Sequence, residues 1–164
     1  MNGPFPPTVE GPVDIIHIDD DIVVVNKRSG ELCVPGVYDK ASLATRVAKE
    51  LGHYRVDKMV VHRLDQATSG VLVMARNQDA LVDLHRQFRD RTVSKRYTAV
   101  VLGQLTAEEG EVDLPLCRNK DCPPLHMVHM ELGKPSLTKW RVTERRGETT
   151  RVELIPVSGR SHQL

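Results

Sequence analysis

The stretch that most constrains the fold of this chain runs from Val60 to Arg76 and reads VVHRLDQATSGVLVMAR. Apolar runs stand on both sides of a polar segment that contains a glycine, which is typical of two buried strands joined by a turn. Asp65 lies at that turn. A buried, unpaired carboxylate is costly, and loops held by a rigid sheet often carry reactive groups. Asp65 is therefore the first candidate for a functional residue, although aspartate also caps turns through its own side chain.

Hydrophobic periodicity predicts two helices among several strands. Ser42 can cap a first helix that Gly52 stops, and Asn77 can cap a second one with Leu81 and Phe88 on its apolar stripe. This order of elements predicts an α+β fold with a mainly antiparallel, mixed sheet and flanking helices. The predicted strands are the β-branched run from Val60 that leads into the segment before Asp65, and residues 13–18, 22–27, 71–75, 94–102, 138–143 and 151–155.

Length and composition favour one folded domain. The 164 residues are 40% apolar and 27% charged, which suits a globular chain, and no apolar run approaches the roughly 20 residues that span a bilayer. Residues 1–12 are predicted to be a disordered, Pro-rich leader, and residues 13–164 the domain. Three cysteines without an export signal indicate reduced thiols and a cytoplasmic protein.

Basic residues are concentrated from His85 to Arg96, a segment that covers the end of the second helix and the start of the strand that follows it. The formal net charge of the chain is only +1, but this segment holds five arginines and lysines against one acid, Asp90. A local basic stripe can follow a phosphate backbone even on a near-neutral protein. The candidate contacts to an RNA backbone are Arg86, Arg89, Arg91, Lys95 and Arg96.

Four segments in the same order resemble one enzyme family. HRLDQATSGVLVMAR resembles the catalytic motif of the RluA family of pseudouridine synthases, which isomerise uridine in ribosomal and transfer RNA. The other three segments are DDIVVVNKRSGELCVPG, QFRDRTVSKRYTAVVLG and PVSGRSHQL, which begin at Asp20, Gln87 and Pro156. The resemblance implies the pseudouridine synthase catalytic fold, an RNA partner (23S rRNA, tRNA or both), and a reaction that needs no cofactor and no metal.

The resemblance also implies roles for individual residues. Asp65 matches the essential aspartate, which acts as a nucleophile on the sugar or as a base on its C2′ proton. Tyr97 matches the tyrosine that stacks on the target base, and Arg63 an arginine that enters the RNA stack in place of the flipped base. Leu164 matches an apolar residue beside the base. Further residues are expected to shape the aspartate loop (Thr68, Ser69 and Gly70) or to pack structurally (His62).

The last segment departs from the family pattern. In the family, the motif that includes Gln163 and Leu164 continues with an arginine that pairs with the catalytic aspartate, and this sequence stops before that position. The chain therefore resembles a C-terminally truncated catalytic domain. A non-catalytic RNA-binding fragment of such an enzyme is the alternative function, because it would keep Arg63 and Tyr97 without needing the acid.

Two metal hypotheses carry less weight. Cys117, Cys122, His126 and His129 form C-x4-C-x3-H-x2-H, but structural zinc sites usually separate their two ligand pairs by a longer span. The acidic run at positions 19–21 could suit a metal-assisted hydrolase. Aspartate is favoured at a hairpin turn in any case, so a structural role is the better interpretation of that run.

Overall fold

In a computed structural model, which describes residues 11–36, 41–52 and 55–164, the helices and most of the strands form close to where the sequence predicts them. The chain falls into two compact units, Met1–Thr92 and Val93–Leu164. The first ten residues of the predicted leader lie outside the described residues. The elements are β1 Ile15–Ile18, β2 Ile22–Lys27, α1 Leu43–Glu50, β3 Gly70–Ala75, α2 Gln78–Arg89, β4 Tyr97–Leu102, β5 Glu109–Asp113, β6 Leu116–Arg118, β7 His126–Val128, β8 Leu137–Arg146 and β9 Thr149–Pro156.

The first unit is built on an antiparallel sheet in the order β1-β2-β3. Helix α1 begins at a capping box, in which the Ser42 hydroxyl accepts the Thr45 N–H and the Thr45 hydroxyl accepts the Ser42 N–H. The Asn77 side chain caps α2 by accepting the Ala80 N–H at 2.9 Å. Both predicted helices are thus confirmed. The fully buried apolar side chains of this unit come from the sheet, α1 and the segment before β3: Val23, Val25, Leu43, Val47, Met59, Leu72 and Met74.

The second unit contains a four-stranded antiparallel sheet in the order β4-β9-β8-β5 and a two-stranded ribbon of β6 and β7. Every strand pair in the described parts of the chain is antiparallel, so the mainly antiparallel α+β class is confirmed. Gly110 of β5 lies against the Trp140 ring, and a Cβ at this position would come within 2.6 Å of a ring carbon. Only glycine therefore fits beneath Trp140.

The strand prediction is wrong in the segment before Asp65 and omits β5, β6 and β7. No regular strand precedes Asp65: Val60 forms a single bridge with Met74, and residues 61–65 are irregular. The acid-rich segment that forms β5 is not predicted as a strand. In the structure, Glu109 and Glu111 face Arg141 and Lys139 across the ladder, and such opposite-charge pairs stabilise a solvent-facing strand that lacks an apolar alternation.

Two further features bear on the class of protein. Within residues 11–36, 41–52 and 55–164, no helix combines the length and the apolar character needed to cross a membrane. The three cysteines are free thiols. That these thiols stay reduced remains a prediction.

The acidic run at positions 19–21 builds the hairpin turn between β1 and β2. The Asp19 carboxylate is bonded to the His17 ring and accepts the N–H groups of Ile22 and Asp21. These bonds lower the pKa of Asp19 from its ordinary 3.8 to about 2, the His17 bond having the largest effect. The Asp19 carboxylate therefore caps this turn.

We expect Asp19→Asn to lower the melting temperature at neutral pH, with the deficit relative to wild type shrinking as the pH falls. Because the folded-state pKa lies below the unfolded one, the ionised carboxylate stabilises the fold above the unfolded pKa and loses this effect on acidification from about pH 5 toward pH 2. Thermal unfolding across this range measures the deficit. Asp20→Asn, at the neighbouring exposed carboxylate, is the control, and a deficit for Asp19→Asn that did not change with pH would contradict the assignment.

Candidate active site

Asp65 opens a tight turn in the first unit. The Thr68 N–H donates to the Asp65 carbonyl oxygen at 3.0 Å and closes the turn. The neighbouring Leu64 side chain is buried, whereas Arg63 is exposed and Asp65 is half-buried. Leu64 thus anchors this irregular segment in the core, while its two neighbours remain partly or fully at the surface. The carboxylate therefore remains accessible to solvent.

The ammonium group of Lys27 is hydrogen-bonded to the main chain of this turn. Lys27 is the last residue of β2 and is completely buried. Its Nζ donates to the carbonyl oxygens of Arg28 at 2.9 Å, Gln66 at 2.9 Å and Thr68 at 2.7 Å. These three acceptors use all three N–H bonds of the ammonium group. Lys27 thus ties the main chain on both sides of position 67 to the end of β2.

The residues that follow Lys27 add further bonds to the same turn. The Ser29 hydroxyl donates to the Ala67 carbonyl oxygen at 2.7 Å, and the Gly30 N–H donates to the Gln66 carbonyl oxygen at 2.8 Å. The Gln66 side chain returns a bond from its amide nitrogen to the Gly30 carbonyl oxygen at 3.0 Å. The carbonyls at positions 66, 67 and 68 are therefore all bonded to residues 27–30, which fixes the path of the turn.

Cys33 binds the main chain on the other side of Asp65. Its buried sulfur accepts the Leu64 N–H and its thiol donates to the Leu64 carbonyl oxygen, both at 3.1 Å. Burial raises the pKa of the Cys33 thiol, the Leu64 bond acting in the opposite direction as a smaller effect. The thiol therefore keeps its proton at neutral pH and can serve as the donor in this pair.

Lys27 is electrostatically coupled to this cluster. Burial lowers the pKa of its ammonium group, and the ionisable groups of Cys33, Glu31 and Asp65 act in the opposite direction. Asp65 is thus close enough to Lys27 for their charges to interact.

Gly70 ends the turn and begins β3 with a φ of 129°, a conformation that is strained for any other residue. Thr68 is half-buried and contributes its carbonyl to Lys27, while Ser69 is exposed. Thr68, Ser69 and Gly70, which are expected to shape the loop, therefore lie between Asp65 and the start of β3. Their roles in binding a substrate stay predictions.

The His62 side chain packs against neighbouring residues of the first unit. Its ring stacks on Phe88 of α2 with centroids 4.4 Å apart, and its Nε2 accepts the Val73 N–H of β3 at 3.2 Å. His85, also in α2, is bonded through its ring to the Val60 carbonyl oxygen at 3.2 Å. These contacts attach α2 to the segment that leads into the Asp65 turn, and the structural role expected for His62 is confirmed.

In the second unit, Tyr97 is the first residue of β4 and is half-buried. The strand register places it opposite Leu154 of β9, which in turn lies opposite Trp140 of β8. Tyr97, Leu154 and Trp140 therefore share one face of the four-stranded sheet. Leu164 is half exposed at 50% and follows the turn after β9. Arg160, in the same turn, donates to the Pro135 carbonyl oxygen at 3.2 Å.

The candidate backbone-binding residues are largely exposed, and several have acidic neighbours. In the last turn of α2, Arg86 is paired with Asp83, and Arg89 with Asp90. In the second unit, Arg96 lies 3.6 Å from Glu153. Exposed pairs of this kind are weak and exchange readily with other anions, so they leave these arginines able to contact phosphates. Of the two remaining candidates, Arg91 is exposed and Lys95 is half-buried.

The residues of the zinc hypothesis are dispersed. Cys117 and His126 belong to adjacent strands, but the register pairs His126 with Arg118 and so directs Cys117 to the opposite face of the ribbon. The Nδ1 of His129 accepts the N–H groups of Glu131 and Leu132. Among the described residues, no group of three His, Cys, Asp or Glu side chains is arranged to hold a metal ion.

Sequence reasoning missed the residues that hold the Asp65 turn, namely Lys27, Ser29, Gly30 and Cys33. One signal was available, because these residues lie in NKRSGELC, within one of the four segments that carry the family resemblance. Nothing in that segment, however, indicates by pattern alone that a lysine at the end of a strand is buried.

Comparison with known proteins gives consistent matches. A family model described as RNA pseudouridylate synthase matches residues 21–164. The chain is 42% identical over 165 residues to the dual-specificity RNA pseudouridine synthase RluA of Pasteurella multocida, covering 98% of this chain and 73% of that protein. It is 45% identical over 153 residues to the protein of the same name from Escherichia coli strain K12, covering 92% of this chain and 68% of that protein.

Two solved structures are also similar. Human RNA Pseudouridylate Synthase Domain Containing 1 matches with a TM-score of 0.74 and 26% identity, over 99% of this chain and 65% of that one. Human RNA Pseudouridylate Synthase Domain Containing 4 matches with a TM-score of 0.72 and 26% identity, over 92% of this chain and 61% of that one. The chain thus spans between 61% and 73% of the length of these four proteins.

Proposed function

Because the chain belongs to the RNA pseudouridylate synthase family, we propose that it isomerises uridine in RNA to pseudouridine, with Asp65 as the catalytic residue. The observation that carries the proposal is the half-exposed carboxylate on a turn whose main chain is bonded to Lys27, Ser29, Gly30 and Cys33. A reactive group held by a rigid main chain is what positioning for catalysis requires.

The reaction breaks and forms bonds within one nucleotide, so it balances without a co-reactant. The bond between N1 of uracil and C1′ of the ribose breaks, the detached base turns, and C5 of the base bonds to the same carbon. The proton on C5 is lost and N1 gains one, so the product is an isomer of the substrate. Asp65 acts on the sugar, either as a nucleophile at C1′ or as a base at C2′.

Tyr97, Leu164 and Arg63 are the proposed contacts to the target nucleotide. Tyr97 would stack on the base, which an aromatic face can do whichever way the base is turned. Leu164 would supply apolar contact beside it, and Arg63 would occupy the gap left in the RNA stack. Thr68, Ser69 and Gly70 would shape the loop, and the exposed basic residues of α2 and the segment before β4 would contact phosphates.

The proposed substrates are 23S rRNA and tRNA, held as joint candidates, and the proposed location is the cytoplasm, where such RNA and reduced thiols occur together. The test is to incubate the chain with transcripts of each RNA and to map pseudouridine by nucleotide-resolution chemistry. We expect conversion at discrete uridines. Binding without conversion would instead support the non-catalytic RNA-binding alternative.

We expect Tyr97→Leu to lower the single-turnover rate about 10- to 100-fold, which corresponds to the loss of one base-stacking contact, while Tyr97→Phe retains most of the rate. Thermal unfolding of both variants separates this effect from a loss of packing. Thr98→Ala, on the opposite face of β4, is the control. If Tyr97→Leu only lowered the melting temperature and left the rate of the folded protein unchanged, Tyr97 would be a core residue and the proposed stacking role would be wrong.

A further inference from the structure

The turn that follows β9 is organised around one side chain, Gln163. Its carboxamide oxygen accepts the Ser158 hydroxyl at 2.9 Å and the Arg160 N–H at 2.8 Å. Its amide nitrogen donates to the Leu137 carbonyl oxygen at 3.0 Å and to the Thr138 hydroxyl oxygen at 2.9 Å. Two donated and two accepted bonds exhaust the capacity of a carboxamide.

The partners fix which way the carboxamide points. The Arg160 N–H can only donate and the Leu137 carbonyl can only accept, so exchanging the oxygen and nitrogen of the amide would lose both bonds. The side chain therefore has one orientation that satisfies its surroundings. Gln163 links its own turn to the start of β8 through bonds of defined polarity.

The network around Gln163 is shielded from water. Ser158 and Thr138 are buried, at 6% and 7% exposure. The Ser158 hydroxyl also accepts the Leu137 N–H at 3.0 Å, and the Leu137 carbonyl accepts the Val157 N–H at 3.0 Å. Removing the carboxamide would take the acceptor from the buried Ser158 hydroxyl and the donor from the buried Thr138 hydroxyl, and losing a buried partner is more costly than losing an exposed one.

This network connects the residue before Leu164 to the four-stranded sheet. Thr138, which Gln163 binds, is two residues before Trp140 on β8 and so belongs to the sheet face that carries Trp140 and Tyr97. Gln163 ties the turn to this face immediately before Leu164. The turn also contains a residue in the left-handed region, His162 with a φ of 57°, which is strained unless its surroundings hold it.

We propose that Gln163 is a positioning residue for base recognition: its four hydrogen bonds hold Leu164 at the face of the sheet that carries Tyr97. The inference rests on the proposed function for the role of Leu164. In this role Gln163 makes no contact with the base itself and acts by fixing the position of Leu164.

The test uses the full chain with Gln163→Met, which keeps the size of the side chain and removes every bond. Backbone NMR relaxation should show the order parameter of the Leu164 amide falling below about 0.6, the range of flexible backbone. Exchange of the Arg160 amide with solvent should become faster, because its acceptor is gone. Ser161→Ala, in the same turn and exposed, should change neither. An unchanged order parameter at Leu164 in Gln163→Met would overturn the proposal, whether or not the chain is active.

Gln163→Glu removes the bonds to β8 with little change in the size of the side chain. It keeps an acceptor for Ser158 and Arg160 but places an oxygen against the Leu137 carbonyl in place of the donor. We expect Leu164 to become as mobile as in Gln163→Met, because both variants lose the bonds to β8. A Leu164 amide as ordered as in the wild type would show that the bonds to β8 are not needed to hold the turn and would count against the proposal.

The activity arm measures turnover of substrate RNA in a double-mutant cycle. Gln163→Met should lower kcat by about tenfold with little change in KM, as expected for a misplaced contact. Adding Gln163→Met to Leu164→Ala should then cost little more, because both act through one side chain. Fully additive losses would overturn the positioning role. A wild-type chain that converts no uridine would refute the proposed function, while the NMR arm would still decide the role of Gln163.

Discussion

Asp65→Asn should abolish pseudouridine formation while leaving the fold and RNA binding intact. The substitution keeps the size and shape of the side chain but removes its charge, so it can neither attack the sugar nor take a proton from it. We expect the rate to fall by about 10³-fold or more, the scale of removing an acid-base or nucleophilic group. Single-turnover mapping of the converted uridine measures the rate, and a filter-binding titration of the same RNA measures the affinity.

The matched control is Asp57→Asn, which removes a carboxylate that is exposed and paired with Arg55. This variant should retain the rate and the melting temperature of the wild type to within experimental error, because exposed pairs contribute little. Near-normal isomerisation by Asp65→Asn would remove the catalytic assignment. A parallel loss of RNA affinity and melting temperature would indicate that Asp65 supports the turn rather than the chemistry.

Lys27→Met should be the most destabilising single change outside the apolar core. It removes the bonds of a fully buried ammonium group to the carbonyls of Arg28, Gln66 and Thr68, of which the Gln66 carbonyl keeps its bond from the Gly30 N–H. Unsatisfied buried groups cost about 1–3 kcal/mol each, and methionine recovers part of this because it needs no solvation. We expect the free energy of unfolding to fall by about 2–4 kcal/mol in denaturant titrations.

The same change should impair catalysis in the molecules that remain folded. The main chain at positions 66 and 68 would no longer be tied to β2, and a displacement of about 1 Å in a catalytic group can cost roughly 10²-fold in rate. Lys58→Met, at an exposed lysine in the same unit, controls for the loss of one positive charge. Wild-type stability together with a wild-type rate in Lys27→Met would show that the turn holds its shape without the ammonium.

The helices and the strongest strands were predictable because their signals are local. Ser42 and Asn77 are good caps at the start of apolar stripes, and both helices begin one residue later. The aspartate turn was likewise visible in the change from apolar to polar residues around Asp65. Where local pattern and structure agree, a few neighbouring residues decide the conformation.

The unpredicted features depend on partners far away in the sequence. Lys27 ends an alternating run, where lysine is ordinarily exposed, and its burial depends on carbonyls 39 and 41 positions away. Strand β5 has the composition of a solvated acidic segment and becomes a strand because β8 presents basic residues at the matching register. The bonds of Gln163 to β8 span 25 and 26 positions. None of these pairings can be inferred from the neighbouring residues.

The bonds that hold the Asp65 turn have a consequence for how the enzyme could be altered. At positions 67 and 68, Ser29 and Lys27 are bonded to main-chain carbonyl oxygens and not to side chains. Every amino acid has such a carbonyl oxygen. Ala67 and Thr68 can therefore be varied in a laboratory selection with the loop retained, except for proline at position 68, where the Thr68 N–H closes the turn. New nucleotide preferences could be sought there while the acid two residues upstream stays in register.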